Sequence, residues 1–318
     1  MEATEVINET GSTALPRNGA DVGILNRIKF GLVRGFLWGW ACCFSLTGLY
    51  LLGKWFGVCE WLLNYKRRSR FRTRLREAMG SAYDPRDPLI RRACFDHFTR
   101  TRCDKIFYLI FDKLPREKII NRIKFHNRDL LDECLNRGRG VYVALSHYGS
   151  HHIQIVLTTL LGYKVAGVRD PNEGPLRRYM QQKYEETFPE FRKIRMFFSD
   201  TYPRDLYRCF QDGYILGTAL DVGRPRGTHL RTAKVNFFGN EREFLTGTMQ
   251  IALCCGAPIL QGFVASHKNF YFHIHIVGPL ADPAIESDED AILQQVMQQY
   301  ADNIADHIRQ YPSNVSKS

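Results

Sequence analysis

Nineteen consecutive residues without a charge, Gly35 to Gly53 (GFLWGWACCFSLTGLYLLG), constrain this chain more than any other feature. A helix needs about 20 such residues to cross a bilayer. Trp38 and Trp40 near one end, and Tyr50, Trp55 and Trp61 towards the other, match the aromatic belts of a membrane interface. The stretch reads as a spanning helix or as one lying flat on the membrane; a buried core helix is the bland alternative. A signal peptide fits less well, because the stretch starts well inside the chain and no small-residue cleavage site follows. The remainder is not membrane-like. Mean hydropathy over the 318 residues is -0.30, which excludes a polytopic membrane protein. A 44% apolar and 24% charged composition excludes a wholly disordered chain.

A basic collar follows at once. Lys66 to Arg76 (KRRSRFRTRLR) carries seven basic residues in eleven, within a chain of formal net charge +11. By the positive-inside rule the collar and everything after it face the cytoplasm. Such a run also attracts anionic headgroups. Its place beside an apolar stretch favours lipid over nucleic acid as partner. The expected division is a tail over 1–30, a membrane-spanning or interfacial helix over 31–65, a basic linker over 66–83 and an α/β domain over 84–318.

Beyond the collar a helical region runs to about Cys134, and then strands and helices alternate. Gly140–Leu145, Tyr163–Val168, Ile194–Phe198, Tyr214–Leu220, Lys234–Phe238, Pro258–Val264 and Phe270–Val277 read as strands. His151–Leu161, Pro175–Thr187, Pro203–Asp212, Thr246–Cys255 and Glu289–Arg309 read as helices. This alternation predicts an α/β fold with a central, mainly parallel or mixed sheet flanked by helices. Ligands then sit outside the carboxyl ends of the strands. Nine scattered cysteines without a CxxC motif suit reduced, buried thiols.

The first such strand end is SHYGSHH, Ser146 to His152. His147 stands where a buried strand gives way to a helix N-terminus, a position that favours anionic or oxyanionic groups. Two chemistries use such a histidine. As a general base, His147 would take a proton from a hydroxyl attacking a thioester. As metal ligands, His147, His151 and His152 would form one histidine box of the di-iron desaturase type. That type needs further boxes and several spanning helices, and His273 and His275 in FHIHI are the only other pair. No metal and no cofactor is expected.

The segment His147-Tyr148-Gly149-Ser150-His151-His152 resembles the signature of the lipid A biosynthesis acyltransferases, within the lysophospholipid acyltransferase-like superfamily. That signature is His-x-Gly-Asn-Trp-Glu, a form of H-x4-D/E. A second block, Gly213 to Phe263, is similar to the family's strand ending in Asp, its Phe-Phe-Gly element and its Gly-Ala-Pro strand entry. The resemblance implies a bacterial inner-membrane enzyme with a cytoplasmic catalytic domain. It implies an acyl-carrier-protein or CoA thioester as donor and a hydroxyl of a lipid A precursor or other glycolipid as acceptor. It implies that Gly149 and the His152 position line the site. Arg169 falls in the family's post-signature arginine region, with Arg177 and Arg178 as further anion contacts.

One departure bears on chemistry. His152 occupies the place of the family's acid, and an imidazole cannot supply the negative charge that orients a catalytic histidine. Asp221, which ends a strand on the predicted active edge, is the leading substitute, ahead of Asp170 and Glu173. Arg224, in the loop after Asp221, would hold phosphate through its planar fork. The alternative is a paralogue that lost its acid and only binds lipid or a partner.

Overall fold

Short apolar runs form the strands, and amphipathic segments between them form helices on both faces. The computed structural model describes residues 22–169, 174–198, 203–221, 231–283 and 289–315. The helices are α1 (Ile24–Leu63), α2 (Tyr65–Met79), α3 (Pro88–Ile110), α4 (Arg116–Ile120), α5 (Arg128–Asn136), α6 (His151–Leu160), α7 (Pro175–Thr187), α8 (Pro203–Gln211), α9 (Gly247–Cys254) and α10 (Glu289–Gln310). The strands are β1 (Ile123–His126), β2 (Val141–Leu145), β3 (Val165–Arg169), β4 (Arg195–Phe198), β5 (Ile215–Ala219), β6 (Thr232–Phe237), β7 (Asn240–Leu245), β8 (Ile259–Ser266) and β9 (Phe272–Ala281).

Seven strands form one sheet in the order β1-β9-β8-β2-β5-β3-β4. The run from β8 to β4 is parallel; β9 lies antiparallel to β8, and β1 runs with β9. The fold is therefore α/β with a mainly parallel mixed sheet. Central strands of such a sheet are buried on both faces, and β2 obeys this. Tyr142 and Ala144 share a core with Leu253 of α9 and Tyr300 and Ile304 of α10. Val141 and Val143 share another with Leu131 and Cys134 of α5.

Three strands depart from the sequence reading: β1, the displaced β6, and β7, which was not read as a strand. β1 lies inside the region read as helical; its four residues form a strand only because β9 pairs with them. The Lys234–Phe238 strand is present as β6, but it pairs with β7 in a separate hairpin. Phe238 (φ 52) and Gly239 (φ 79) make its two-residue turn. Positive φ at both positions is what a tight hairpin of right-handed strands requires.

The apolar stretch lies within α1. At 1.5 Å per residue, 40 residues extend about 60 Å. The helix is interrupted at Ser45 (φ 62). It is the one described helix long and apolar enough to cross a membrane. Among the contacts that fasten α1 to the body, two lie near the ends of the apolar stretch. Arg34, buried, pairs with buried Asp112 and donates from Nε to the Leu109 carbonyl at 2.9 Å. Further along, Gly53 and Gly57 let α1 approach α3: a Cβ on Gly57 would lie 2.5 Å from the Thr99 Cα. Only 17% of the apolar window is buried, so the opposite side of α1 presents Leu32, Phe36, Phe44, Leu51 and Trp55 outward. α2 turns Phe71, Leu75 and Met79 inward and exposes Lys66, Arg70, Arg72 and Arg76.

Gly57→Val is expected to force the two helices apart. Overpacking of this kind costs about 1–3 kcal/mol. Thermal unfolding of the detergent-solubilised chain should show a lowered midpoint. Gly35→Val, at a position with nothing within 4 Å of an added Cβ, serves as the control.

Candidate active site

β2 and β5 are adjacent, parallel and in register, with Leu145 opposite Ala219. Each chain leaves its strand and, two residues on, reaches the same level. His147 and Asp221 therefore meet, although 74 positions separate them. The Asp221 carboxylate is 1% exposed. It accepts from the His147 ring at Nδ1 (2.9 Å) and from the His147 backbone N–H (3.0 and 2.9 Å to its two oxygens). A carboxylate this buried must be hydrogen-bonded, and one residue supplies both donors.

Tyr300, fully buried on α10, clamps the two strand ends. Its hydroxyl donates to the Leu145 carbonyl at 2.6 Å and accepts from the Leu220 N–H at 3.4 Å. The turn beyond His147 is fixed from below. Gly149 adopts φ +81, and a Cβ there would lie 2.8 Å from the Val264 carbonyl. Its N–H donates to the Asn314 carbonyl at 2.9 Å. The Ser150 and Ser266 hydroxyls both donate to buried Asp104, at 2.6 and 2.8 Å, and Arg100 reaches the same carboxylate at 3.2 Å. Burial nevertheless pushes the Asp104 carboxyl up from its ordinary value. None of Tyr300, Asn314, Asp104 and Arg100 carries a motif that sequence reading could use.

The arrangement defines a tautomer. With Nδ1–H given to the carboxylate, Nε2 is the basic nitrogen. Burial opposes charge on His147, and Arg177 opposes it further. The hydrogen bond and negative charge of Asp221 outweigh both, so the pKa stands above its usual 6.5. The side chain remains 32% exposed, within reach of a reactant. A partly exposed imidazole held by a buried carboxylate can accept a proton and bear the resulting charge.

A family model describing bacterial lipid A biosynthesis acyltransferases matches residues 22–312. The chain belongs to this family. It is an acyltransferase acting in lipid A biosynthesis. No curated protein matches the chain.

The other residues of this acyltransferase singled out from sequence are placed as follows. Arg177 and Arg178 lie in the first turn of α7, and Arg177 acts electrostatically on His147. Arg169 ends β3 on the same edge of the sheet as His147, opposite Phe198 of β4. His151 and His152 open α6; their side chains, like that of Arg169, lie outside the described residues. So do Asp170, Glu173 and Arg224. The residues able to hold a metal among those described are His126, His273 and His275, not the dyad.

Titration of His147 by NMR should give a pKa above 6.5. Asp221→Asn removes the charge that raises it and leaves burial and Arg177, which lower it, so the value should fall below 6.5. The linkage has a sign. A raised folded pKa gives stability that is complete below the unfolded value, near 6.5, and is lost as pH rises through the folded one.

Proposed function

We propose that this protein transfers a fatty acyl group from a thioester to a hydroxyl of a lipid A precursor or related glycolipid, with His147 as general base. His147 Nε2 takes the proton of the acceptor hydroxyl as its oxygen attacks the thioester carbonyl. The C–S bond then breaks, and the imidazolium returns the proton to the leaving thiolate. Asp221 holds the ring and stabilises the imidazolium. The observation that carries this reading is the Nδ1–Asp221 contact at 2.9 Å. It supports Asp221 in the role that His152 cannot fill, and it favours an active enzyme over a paralogue reduced to binding.

The donor in this reading is an acyl-carrier protein or acyl-CoA. Both carry phosphate, as does the acceptor. Arg177, Arg178 and Arg169 stand on the dyad's edge of the sheet and suit those anions, with Arg224 and His152 as further contacts. Gly149 serves by its conformation, since its N–H is engaged by Asn314. In this proposal α1 lies in the membrane surface. A spanning helix needs about 20 residues surrounded by lipid, whereas Arg34 and Gly57 bind the two ends of the apolar stretch to the body. The outward apolar side then enters the bilayer and the basic side of α2 meets anionic headgroups. The site would face the cytoplasmic leaflet of the inner membrane. Residues 31–65 and 66–83 would be the attachment and collar and 84–318 the catalytic domain; residues 24–30, expected as part of a tail, are the first turns of α1.

Lipid mass spectrometry of membranes from cells with and without the gene tests this directly. One added acyl chain on a glycolipid is expected, together with a loss of about 10²–10⁴-fold in transfer by purified His147→Ala. An unchanged acylated-lipid profile, or full transfer by His147→Ala, would overturn the proposal.

A further inference from the structure

Four histidines converge away from the dyad. His126 ends β1. His275 lies directly opposite it on β9, and His273 is two residues earlier on the same face. His267 follows β8 at the turn into β9. The His126 Nε2 and His273 Nδ1 atoms are 3.1 Å apart, the separation of two nitrogens that share a proton or a metal ion. The His126 and His275 rings stack at 4.2 Å, and the His267 and His273 rings lie 3.9 Å apart. One ring nitrogen from each of His126, His273 and His275 falls within 4.8 Å of the others.

Elementary electrostatics limits what this cluster can be. Positively charged imidazoles at these distances repel, and the group of three contains no carboxylate to compensate. Imidazole donates to a metal in its neutral form, the form that crowding of like groups favours. Tetrahedral zinc takes nitrogen ligands at about 2.0–2.1 Å, which sets them about 3.3 Å from one another, so ring nitrogens within 4.8 Å need close by at most about 1.5 Å.

We propose that His126, His273 and His275 bind one divalent transition-metal ion, with His267 beside the remaining coordination position. An all-imidazole set suits Zn²⁺, Cu²⁺ or Ni²⁺ and disfavours Mg²⁺ and Ca²⁺, which prefer oxygen. The ion would join two strands, the short edge strand β1 and β9, beside the turn that follows β8. β1 pairs with β9 alone. A metal spanning the two would staple the edge of the sheet. It would also steady β8, whose last residue, Ser266, binds Asp104 beneath the His147 turn. The role is structural, since β8 intervenes between β9 and the dyad strand β2.

The test uses the full chain without an affinity tag, stripped with a chelator and titrated with Zn²⁺ against a chromophoric competitor. One Zn²⁺ per chain at micromolar affinity or tighter is expected, with a raised midpoint of thermal unfolding. Loss of an outer-shell partner alone weakens metal sites about 10–100-fold, so His126→Ala and His273→Ala should each weaken binding by at least about tenfold. Cobalt substitution gives an answer independent of those variants: the visible bands of tetrahedral, nitrogen-ligated Co²⁺ should appear in the parent protein. The His151→Ala/His152→Ala double variant should bind as the parent does. Binding that survives His273→Ala, binding that disappears in the double variant, or no binding at all would overturn the proposal.

Discussion

The Asp221 carboxylate is the constraint on which the site depends. At 1% exposure it needs donors, and both come from His147, one from the ring and one from the backbone. That requirement can be met only if β2 and β5 are adjacent and in register. A shift of one residue would turn either side chain to the other face. Tyr300 resists such a shift by binding the ends of both strands from α10. The positive φ of Gly149 then lets the chain turn from the dyad into α6. The geometry of the candidate site and the stability of the fold rest here on the same few contacts.

Much of this frame was legible in the sequence. Apolar runs bounded by glycine located the central strands, and strand ends located His147. Asp221 could be nominated as the acid for His147 because it ends a strand, but the choice over Asp170 and Glu173 needed the strand order. Strand order is a long-range property: β2 and β5 are neighbours in space with β3 and β4 between them in sequence. β1 was missed for the same reason, since Ile123–His126 becomes a strand through β9, which lies far along the chain. The histidine cluster shares that cause. His273 and His275 were visible as a pair on one strand face, whereas His126 joins them only through the β1–β9 pairing. The contacts of α1 were equally hidden, because a run of apolar residues carries no sign of which side meets protein.

The positive charge of the chain acquires a distribution from the fold. Arg34 and Arg100 are spent on buried or largely buried partners, Asp112 and Asp104. Those arginines hold the scaffold. The exposed side of α2 and the start of α7 carry charges of a different kind, turned outward or towards His147. In the proposed reaction the reactants bear phosphate and reside in or beside a membrane, which suits charges placed in this way.

In the proposed mechanism Asp221 does the orienting work of the acid that His152 displaces. The steady-state rate of acyl transfer by Asp221→Asn, measured against the parent with donor concentration varied, tests it most directly. Removal of an orienting carboxylate costs about 10⁴ in serine-protease triads. A fall in kcat of about 10²–10⁴ with little change in KM for the donor is expected. A kcat equal to that of the parent would contradict it.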